Sequence, residues 1–405
     1  MSHSATHPSP RCHAHRPTPA THRVSRFTHP RPPATGYLSP ATRLLVLLIC
    51  VPLALLTLGA GGPVLQGSQP GDLPIYPEQI AAYQAAQQLP PLSAQAALLG
   101  DSGVNQTLAT ANAHQPRPMA STTKIMTALL VLERANLADQ VVVSPTALVG
   151  ESSMGLMAGE VLTVEDLLWG LLLSSGNDAA VALAEHVAGS EAAFVQLMNQ
   201  RAAELGMTNT RFANPHGLDA PDHYSSAYDL WLVAQEALTY PLFRQMVATS
   251  AHTTAGRQLF NQNELLSSYP GADGVKTGTT VAAGQNLVGS VTQDGHREIA
   301  VILGSQDRYR DAAALFDHFF NFWRWAPAPQ LSGPVSWLWT ADGRPLHVVA
   351  SSPPDLFLPL WQWPLVRPIL VRTAPTLAPN QPVGVVRWYL GNRLLAEAPA
   401  TAIEN

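Results

Sequence analysis

The stretch Met119–Leu130, MASTTKIMTALL, holds one of only two lysines in a chain of 405 residues, although lysine and arginine together number 23. The other is Lys276, and every remaining basic residue is arginine. A serine stands three residues before Lys124. On a helix, positions i and i+3 share a face, so Ser121 and Lys124 can bring Oγ and Nζ within hydrogen-bond reach. A serine hydroxyl is a weak nucleophile until a neighbouring base takes its proton. Arginine cannot be that base, because its guanidinium does not deprotonate in proteins. A lysine can, when burial, a helix N-terminus and a second cation together depress its pKa. Lys276, in GVKTGTT, supplies a candidate for that cation. Ser-x-x-Lys by itself is weak evidence and reads as a surface helix with a solvated lysine. The scarcity of lysine separates the two readings, since a lysine serving only solubility would be written here as arginine.

A third element is LLLSSGNDAA, where Ser175-Gly176-Asn177 ends an apolar run. One reading is a helix break with Asn177 or Asp178 capping the next helix. The other makes Ser175 a proton-relay hydroxyl and Asn177 an amide that orients Lys124 or a substrate carbonyl.

Composition bounds the remaining possibilities. With 46% hydrophobic and 13% charged residues, the chain is a folded protein long enough for more than one domain. Residues 1–43 carry six Arg, six His and no acid, whereas the rest has 17 basic and 28 acidic residues, a net charge of about −11 that argues against a nucleic-acid surface. The only cysteines are Cys12 and Cys50, so nothing downstream forms a disulfide or a thiolate metal site.

The N-terminal tail, residues 1–43, is Pro- and His-rich and is expected to be a disordered, cytoplasmic, cationic segment. Residues 44–61, beginning LLVLLICVPLALL, read as a transmembrane signal anchor or a cleaved signal peptide, with everything after them outside the membrane. A linker covers residues 62–91. From about Ala94 the pattern predicts strand, turn and strand, with Asp101-Ser102-Gly103 at the turn. Helices follow. Ile125, Leu129 and Leu132 share a face of the first, Thr163 with Asp166 opens another in a capping-box pattern, and Gly206 closes a third. Strands return at GVKTGTT and in a hairpin turned at Asp294-Gly295, before a helix from about Arg310 to Trp325. Residues 326–405 hold 13 Pro, and seven of the nine Trp lie from Trp323 onward. VGVVRWYLGNRLLAEA predicts a hairpin turned at Gly391-Asn392, so the last 80 residues read as a small β domain.

Taken in order, Ser121-x-x-Lys124, Ser175-Gly176-Asn177 and Lys276-Thr277-Gly278 resemble the three motifs of the penicillin-binding serine acyltransferases, and within them the D-alanyl-D-alanine carboxypeptidases of low molecular mass. The resemblance covers about residues 92–325, including SSMGLMAGEVLTVEDLLWGLLLSSGNDAA and FANPHGLDAPDHYSSAYDL. Residues 326–405 are more loosely similar to that family's C-terminal β-sandwich. The resemblance implies an α+β fold, a transpeptidase-like domain with an antiparallel sheet flanked by helices and a helical subdomain, followed by a small β-sandwich domain. It implies that Ser121 attacks the D-Ala-D-Ala carbonyl of a peptidoglycan stem peptide with Lys124 as general base, and that water then hydrolyses the acyl-enzyme. Backbone N–H groups of Ser121 and Thr279 form the oxyanion hole, Lys276 and Thr277 receive the terminal carboxylate, and β-lactam antibiotics bind at the same place. An arginine of SQDRYRDAA assists, with Arg310 expected ahead of Arg308. No cofactor and no metal is implied. Thr279 stands where many relatives have His or Phe, and the chain ends without the amphipathic membrane-lying helix that relatives often carry, which leaves anchoring to residues 44–61.

Other readings are weighed against this one. His216 and His223 recur with acids in NPHGLDAPDH at ligand-like spacing, but the chain has no His-Glu-x-x-His pattern for a zinc peptidase. A β-lactamase shares the three motifs but needs a hydrolytic base, and Glu160 and Glu165 precede the second motif instead of following it. A D,D-endopeptidase uses the same site. A catalytically silent wall-binding protein is disfavoured by the intact Ser, Lys and Asn.

Overall fold

A computed structural model describes residues 88–404 together with positions 78, 81–83 and 85. The basic tail, the apolar run at 44–61 and most of the linker lie outside the described residues. Among the described residues no helix is long and apolar enough to cross a membrane.

The first body is built on a five-stranded antiparallel sheet. Its strands are β1 (Ala96–Asp101), β2 (Gln106–Ala111), β3 (Ala272–Thr280), β4 (Gly284–Gln293) and β5 (His296–Ser305), in the order β2-β1-β5-β4-β3. The first two and last three strands of this body thus meet in one sheet, with six of its helices inserted between β2 and β3. Strand side chains alternate between faces, and here both faces are apolar. Ala96 and Leu98 of β1, with Ile299, Val301 and Leu303 of β5, face a large core shared with the inserted helices. Ala97, Leu99, Ala300 and Ile302 face the other way, onto Ala312, Leu315, Phe316 and Phe319. Those last four residues belong to the helix Arg308–Phe322, which covers the second face. The expected β4–β5 turn is present, with Asp294 at φ 50 and Gly295 at φ 83, as a type I′ hairpin requires.

The inserted helices are α1 (Lys124–Arg134), α2 (Val164–Leu172), α3 (Asn177–Ala188), α4 (Glu191–Glu204), α5 (Ala227–Ala237) and α6 (Pro241–Ala248); the covering helix is α7. Helix α1 is apolar almost all round, Ile125 to Val131 being buried without a break, because it runs through the middle of the body. Helix α2 starts on the expected capping box, with Thr163 and Asp166 bonded in both directions. Gly206, at φ +76, follows the end of α4.

Helix α7 begins two residues before the expected start and ends three before the expected end. Asp307 caps it by accepting the N–H of Arg310. Trp323–Pro327, expected as helix and domain edge, is strand β6, in the sequence WRWAP. The C-terminal β region thus has its first strand at Trp323. It comprises β7 (Trp337–Trp339), β8 (Pro345–Ala350), β9 (Asp355–Pro359), β10 (Arg367–Arg372), β11 (Gln381–Leu390) and β12 (Arg393–Ile403). Strand β6 pairs with β9, and the others form a sheet ordered β7-β8-β12-β11-β10. Its core centres on fully buried Trp388 with Val348, Val383 and Val386. Trp325 ties this domain to the first body, donating its indole N–H to Asp101 Oδ2 at 3.0 Å.

Candidate active site

Ser121 sits in a tight 3₁₀ turn, Ala120–Thr123, that leads into α1. Two threonines lock the turn. Thr122 Oγ1 donates to the Met119 carbonyl at 2.6 Å and Thr123 Oγ1 to the Ala120 carbonyl at 2.8 Å. Ala120 itself stands at φ +50, unusual for a residue with a Cβ. Neighbouring backbones crowd the turn from two sides. A Cβ on Gly278 of β3 would lie 2.8 Å from the Ser121 nitrogen, and one on Gly217 would lie 2.1 Å from the Ala120 oxygen. The glycine of the Lys276-Thr277-Gly278 motif is thus what lets β3 pass so close to the serine.

Lys124, the first residue of α1, is fully buried. Its Nζ lies 3.0 Å from Ser121 Oγ, 2.8 Å from Asn177 Oδ1 and 2.5 Å from the His216 carbonyl oxygen. Two of these three partners can only accept. A neutral amine has two N–H donors and one lone pair, so it satisfies both acceptors and turns the lone pair to the serine hydroxyl. Burial lowers the Lys124 pKa well below the ordinary lysine value, and the charge of Lys276 lowers it further, against opposing contributions from Asp178 and Glu151. Lys276 is also buried, donates to the Thr277 carbonyl at 3.2 Å, and is brought down to about 7 by burial and the Arg308 charge.

Asn177 opens α3. Its amide Nδ2 donates to the Gly150 carbonyl at 2.8 Å and its backbone N–H to the Ser152 carbonyl at 2.8 Å, which leaves Oδ1 free to face the lysine. Ser175, buried and at φ +59, lies in the break between α2 and α3. These parts surround a cleft of about 460 Å³, lined by Ser121, Ser152 and Ser175 on one side and Thr277, Gly278 and Thr279 of β3 on the other. Lys124, Asn177 and Lys276 stand behind its walls.

A family profile described as D-alanyl-D-alanine carboxypeptidase, peptidase S11, matches residues 82–307. The chain belongs to that family. It is 34% identical over 353 residues to D-alanyl-D-alanine carboxypeptidase DacC of Escherichia coli (strain K12), an overlap of 81% of this chain and 88% of that one. Penicillin binding protein 5 from Haemophilus influenzae superposes with a TM-score of 0.60 at 28% identity, covering 78% of this chain and 98% of that one. The D-alanyl-D-alanine carboxypeptidase from Mycobacterium tuberculosis H37Rv gives 0.55 at 36% identity, over 58% and 93%. The expected α+β transpeptidase-like domain followed by a separate β domain is therefore the fold of this carboxypeptidase family member.

The arginine at the cleft is Arg308, not Arg310. Arg308 Nη1 donates to the Gly278 and Asn286 carbonyls at 3.0 Å each, and Nη2 to Thr279 Oγ1 at 2.7 Å. The guanidinium lines the cleft with Gln285 and Tyr309. Arg310 points away, 64% exposed and 3.5 Å from Asp311. Two positions along a helix turn a side chain by about 200°, so only one of the two arginines can face the cleft. Lys276 is buried behind the β3 wall, and Arg308 is the cation that lines the cleft.

Both histidines are taken up by local hydrogen bonds, and among the described residues no cluster of three ligand-type side chains occurs. His223 Nδ1 accepts the Ala213 N–H, and its Nε2 lies 2.9 Å from Thr123 Oγ1, whose own proton goes to Ala120. His216 Nδ1 accepts the Leu218 N–H. Burial, followed for His216 by the Lys124 charge, holds the two at about 3 for His216 and about 4 for His223, so both are neutral. Glu160 is held by Arg257 at 2.7 Å, and neither it nor Glu165 lines the cleft.

Asp178 was legible only as a possible helix cap. It accepts four backbone N–H groups (Met154, Gly155, Leu156 and Ala179) and the Ser153 hydroxyl. That set pins the loop carrying Gly150 and Ser152, the two carbonyls on which Asn177 hangs. A carboxylate just after Ser-Gly-Asn is the only sequence signal for this role.

Proposed function

We propose that this protein is a serine-type D-Ala-D-Ala carboxypeptidase that trims peptidoglycan stem peptides and is acylated by β-lactam antibiotics. Ser121 Oγ attacks the carbonyl of the penultimate D-Ala while its proton passes to Lys124 Nζ. The proton then moves, by way of the Ser175 hydroxyl, to the departing amine, and D-Ala leaves. Water adds to the acyl-enzyme with the same lysine as base, which releases the shortened peptide and restores Ser121. The N–H groups of Ser121 and Thr279 hold the developing oxyanion, a contribution of about 3 kcal/mol for one such donor. Thr277 and Arg308 hold the terminal carboxylate, and Lys276 biases Lys124 toward its neutral form from behind the wall. The observation that carries the reading is Lys124 Nζ, buried and held by two acceptors 2.8 and 2.5 Å away, with Ser121 Oγ at 3.0 Å as its third neighbour.

The enzyme acts outside the plasma membrane, held there by residues 44–61 as a signal anchor or released after their cleavage. The basic flank ending at Arg43 supports that orientation. The test is incubation of the full chain with a pentapeptide ending in D-Ala-D-Ala and measurement of free D-Ala. Release by the parent and none by Ser121→Ala is expected. No release from the parent, or equal release from the variant, sinks the proposal, and cleavage only of crosslinked peptides transfers it to an endopeptidase.

A further inference from the structure

A second cleft, of about 320 Å³, opens where the catalytic body meets the C-terminal domain. Its floor on one side is the start of β2, Gln106 and Thr107, on the outer strand of the catalytic sheet. Facing it are Trp323 of β6, Phe357 of β9 and the Trp361-Gln362 pair in the 3₁₀ turn that follows β9. Tyr83, 41% exposed, meets Trp361 edge to face at 5.2 Å, and Trp323 stacks on Phe357 at 5.0 Å. Arg393, at the turn between β11 and β12, closes one end.

The lining selects a ligand class. It holds four aromatic residues, three aliphatic ones, two primary amides, two hydroxyls and one guanidinium, and no carboxylate. A single cation is too little for nucleic acid or a polyanion, which need a row of them. An apolar peptide would leave both glutamine amides unpaired. A pyranose ring has the matching shape, with a flat face of C–H groups for an aromatic ring and a rim of hydroxyl or acetamido groups for amides. Small-molecule sites of this size are lined in this way, mostly aromatic with a few placed polar groups.

We propose that this cleft is a saccharide site for the glycan strand of the wall polymer whose stem peptide enters the catalytic cleft. The identity of the sugar polymer rests on the carboxypeptidase reading; the saccharide chemistry rests on the cleft alone. Strand β2 and strand β3 are opposite edges of the same sheet, four strand spacings or about 19 Å apart. A polymer held at one edge presents its attached peptides to the other at raised local concentration. The Trp325–Asp101 bond ties the C-terminal wall of the second cleft to the sheet that carries the catalytic one.

Three proteins test this: the full chain, Trp361→Ala and Gln106→Ala, the last altering only an exposed side chain. Binding of an N-acetylglucosamine tetramer is followed by tryptophan fluorescence. Turnover is compared on a free pentapeptide and on the same peptide linked to a soluble glycan chain. The expected result is saturable tetramer binding that both variants weaken. Their kcat/KM on the glycan-linked peptide falls about tenfold, with less than a twofold change on the free peptide. Absence of tetramer binding by the parent overturns the proposal. So does an unchanged ratio of the two substrates in Gln106→Ala, whatever Trp361→Ala does to the fold. Failure of the parent on the free pentapeptide is a different outcome, which defeats the carboxypeptidase reading and leaves the binding measurement to decide the saccharide site.

Discussion

Asp178→Asn removes one acceptor oxygen from a carboxylate that serves five donors. Oδ1 takes the N–H groups of Met154 and Ala179; Oδ2 takes those of Gly155 and Leu156 and the Ser153 hydroxyl. An asparagine can reproduce one of these sets but not both. In its better orientation at least two buried N–H groups face an NH₂ group. Each buried donor left unpaired costs about 1–3 kcal/mol, so the substitution costs about 2–6 kcal/mol. That is a large part of the stability of an ordinary domain, about 5–15 kcal/mol. The damage reaches the site through one further step. The loop released from Asp178 carries the Gly150 and Ser152 carbonyls, and without them Asn177 no longer aims Oδ1 at Lys124. A misplacement of about 1 Å at a reacting group costs about a hundredfold in rate. Calorimetry should therefore show a Tm lower by at least about 4 °C. Stopped-flow acylation by a labelled penicillin should slow by about one to two orders of magnitude, even at temperatures where the variant is folded. A variant that melts with the parent and acylates at the parental rate would refute the reasoning, because the loop would then hold Asn177 without its carboxylate anchor.

Other outcomes follow from the same geometry. Arg308→Ala removes a charged hydrogen-bond donor from the cleft and should raise KM for a D-Ala-D-Ala peptide about tenfold or more, whereas Arg310→Ala should change kcat/KM less than about twofold; the reverse ranking in steady-state assays would restore the arginine first expected. Gly217→Ala places a Cβ 2.1 Å from the Ala120 oxygen and 2.9 Å from the Ser121 nitrogen at φ +96, so penicillin acylation should drop about a hundredfold and parental labelling would contradict the packing. Glu298 is fully buried, and burial followed by the Asp101 charge raises its pKa from 4.5 to about 8. The folded state keeps that proton between the two values while the unfolded chain loses it, so the stability it contributes is complete below 4.5 and lost as pH rises through 8. Glu298→Gln should flatten the fall in Tm between about pH 5 and pH 9, and an unchanged slope in the variant would assign the pH dependence to other groups.

Three short motifs were enough to bring Ser121, Lys124, Asn177 and β3 together, because each is a residue type that its chemistry requires. Lysine at 124 in an arginine-rich chain is the clearest instance, and the two acceptors around Nζ give its physical reason. Parts of the site made of backbone were not legible. The carbonyls of His216 and Gly150 belong to every residue type alike, and only the fold brings them to Lys124 and Asn177. Which of Arg308 and Arg310 faces the cleft was not legible for a related reason: it depends on how α7 is set against β3, which position after a strand does not give. WRWAP misled because aromatic residues followed a helical pattern directly, and its strand character appears only through pairing with DLFLP in β9. Thr163 with Asp166, Gly206 and the Asp294-Gly295 turn were legible in full, being local devices that need no distant partner.

The central claim is that Ser121 is the acylated nucleophile and that a neutral Lys124 activates it. Mass spectrometry of the full chain after brief exposure to penicillin, followed by peptide mapping, measures this directly. The account predicts one adduct of the whole drug mass on the peptide containing Ser121, formed faster as pH rises through the lowered Lys124 pKa and absent in Lys124→Arg. An adduct at any other residue, or parental labelling of Lys124→Arg, would contradict it.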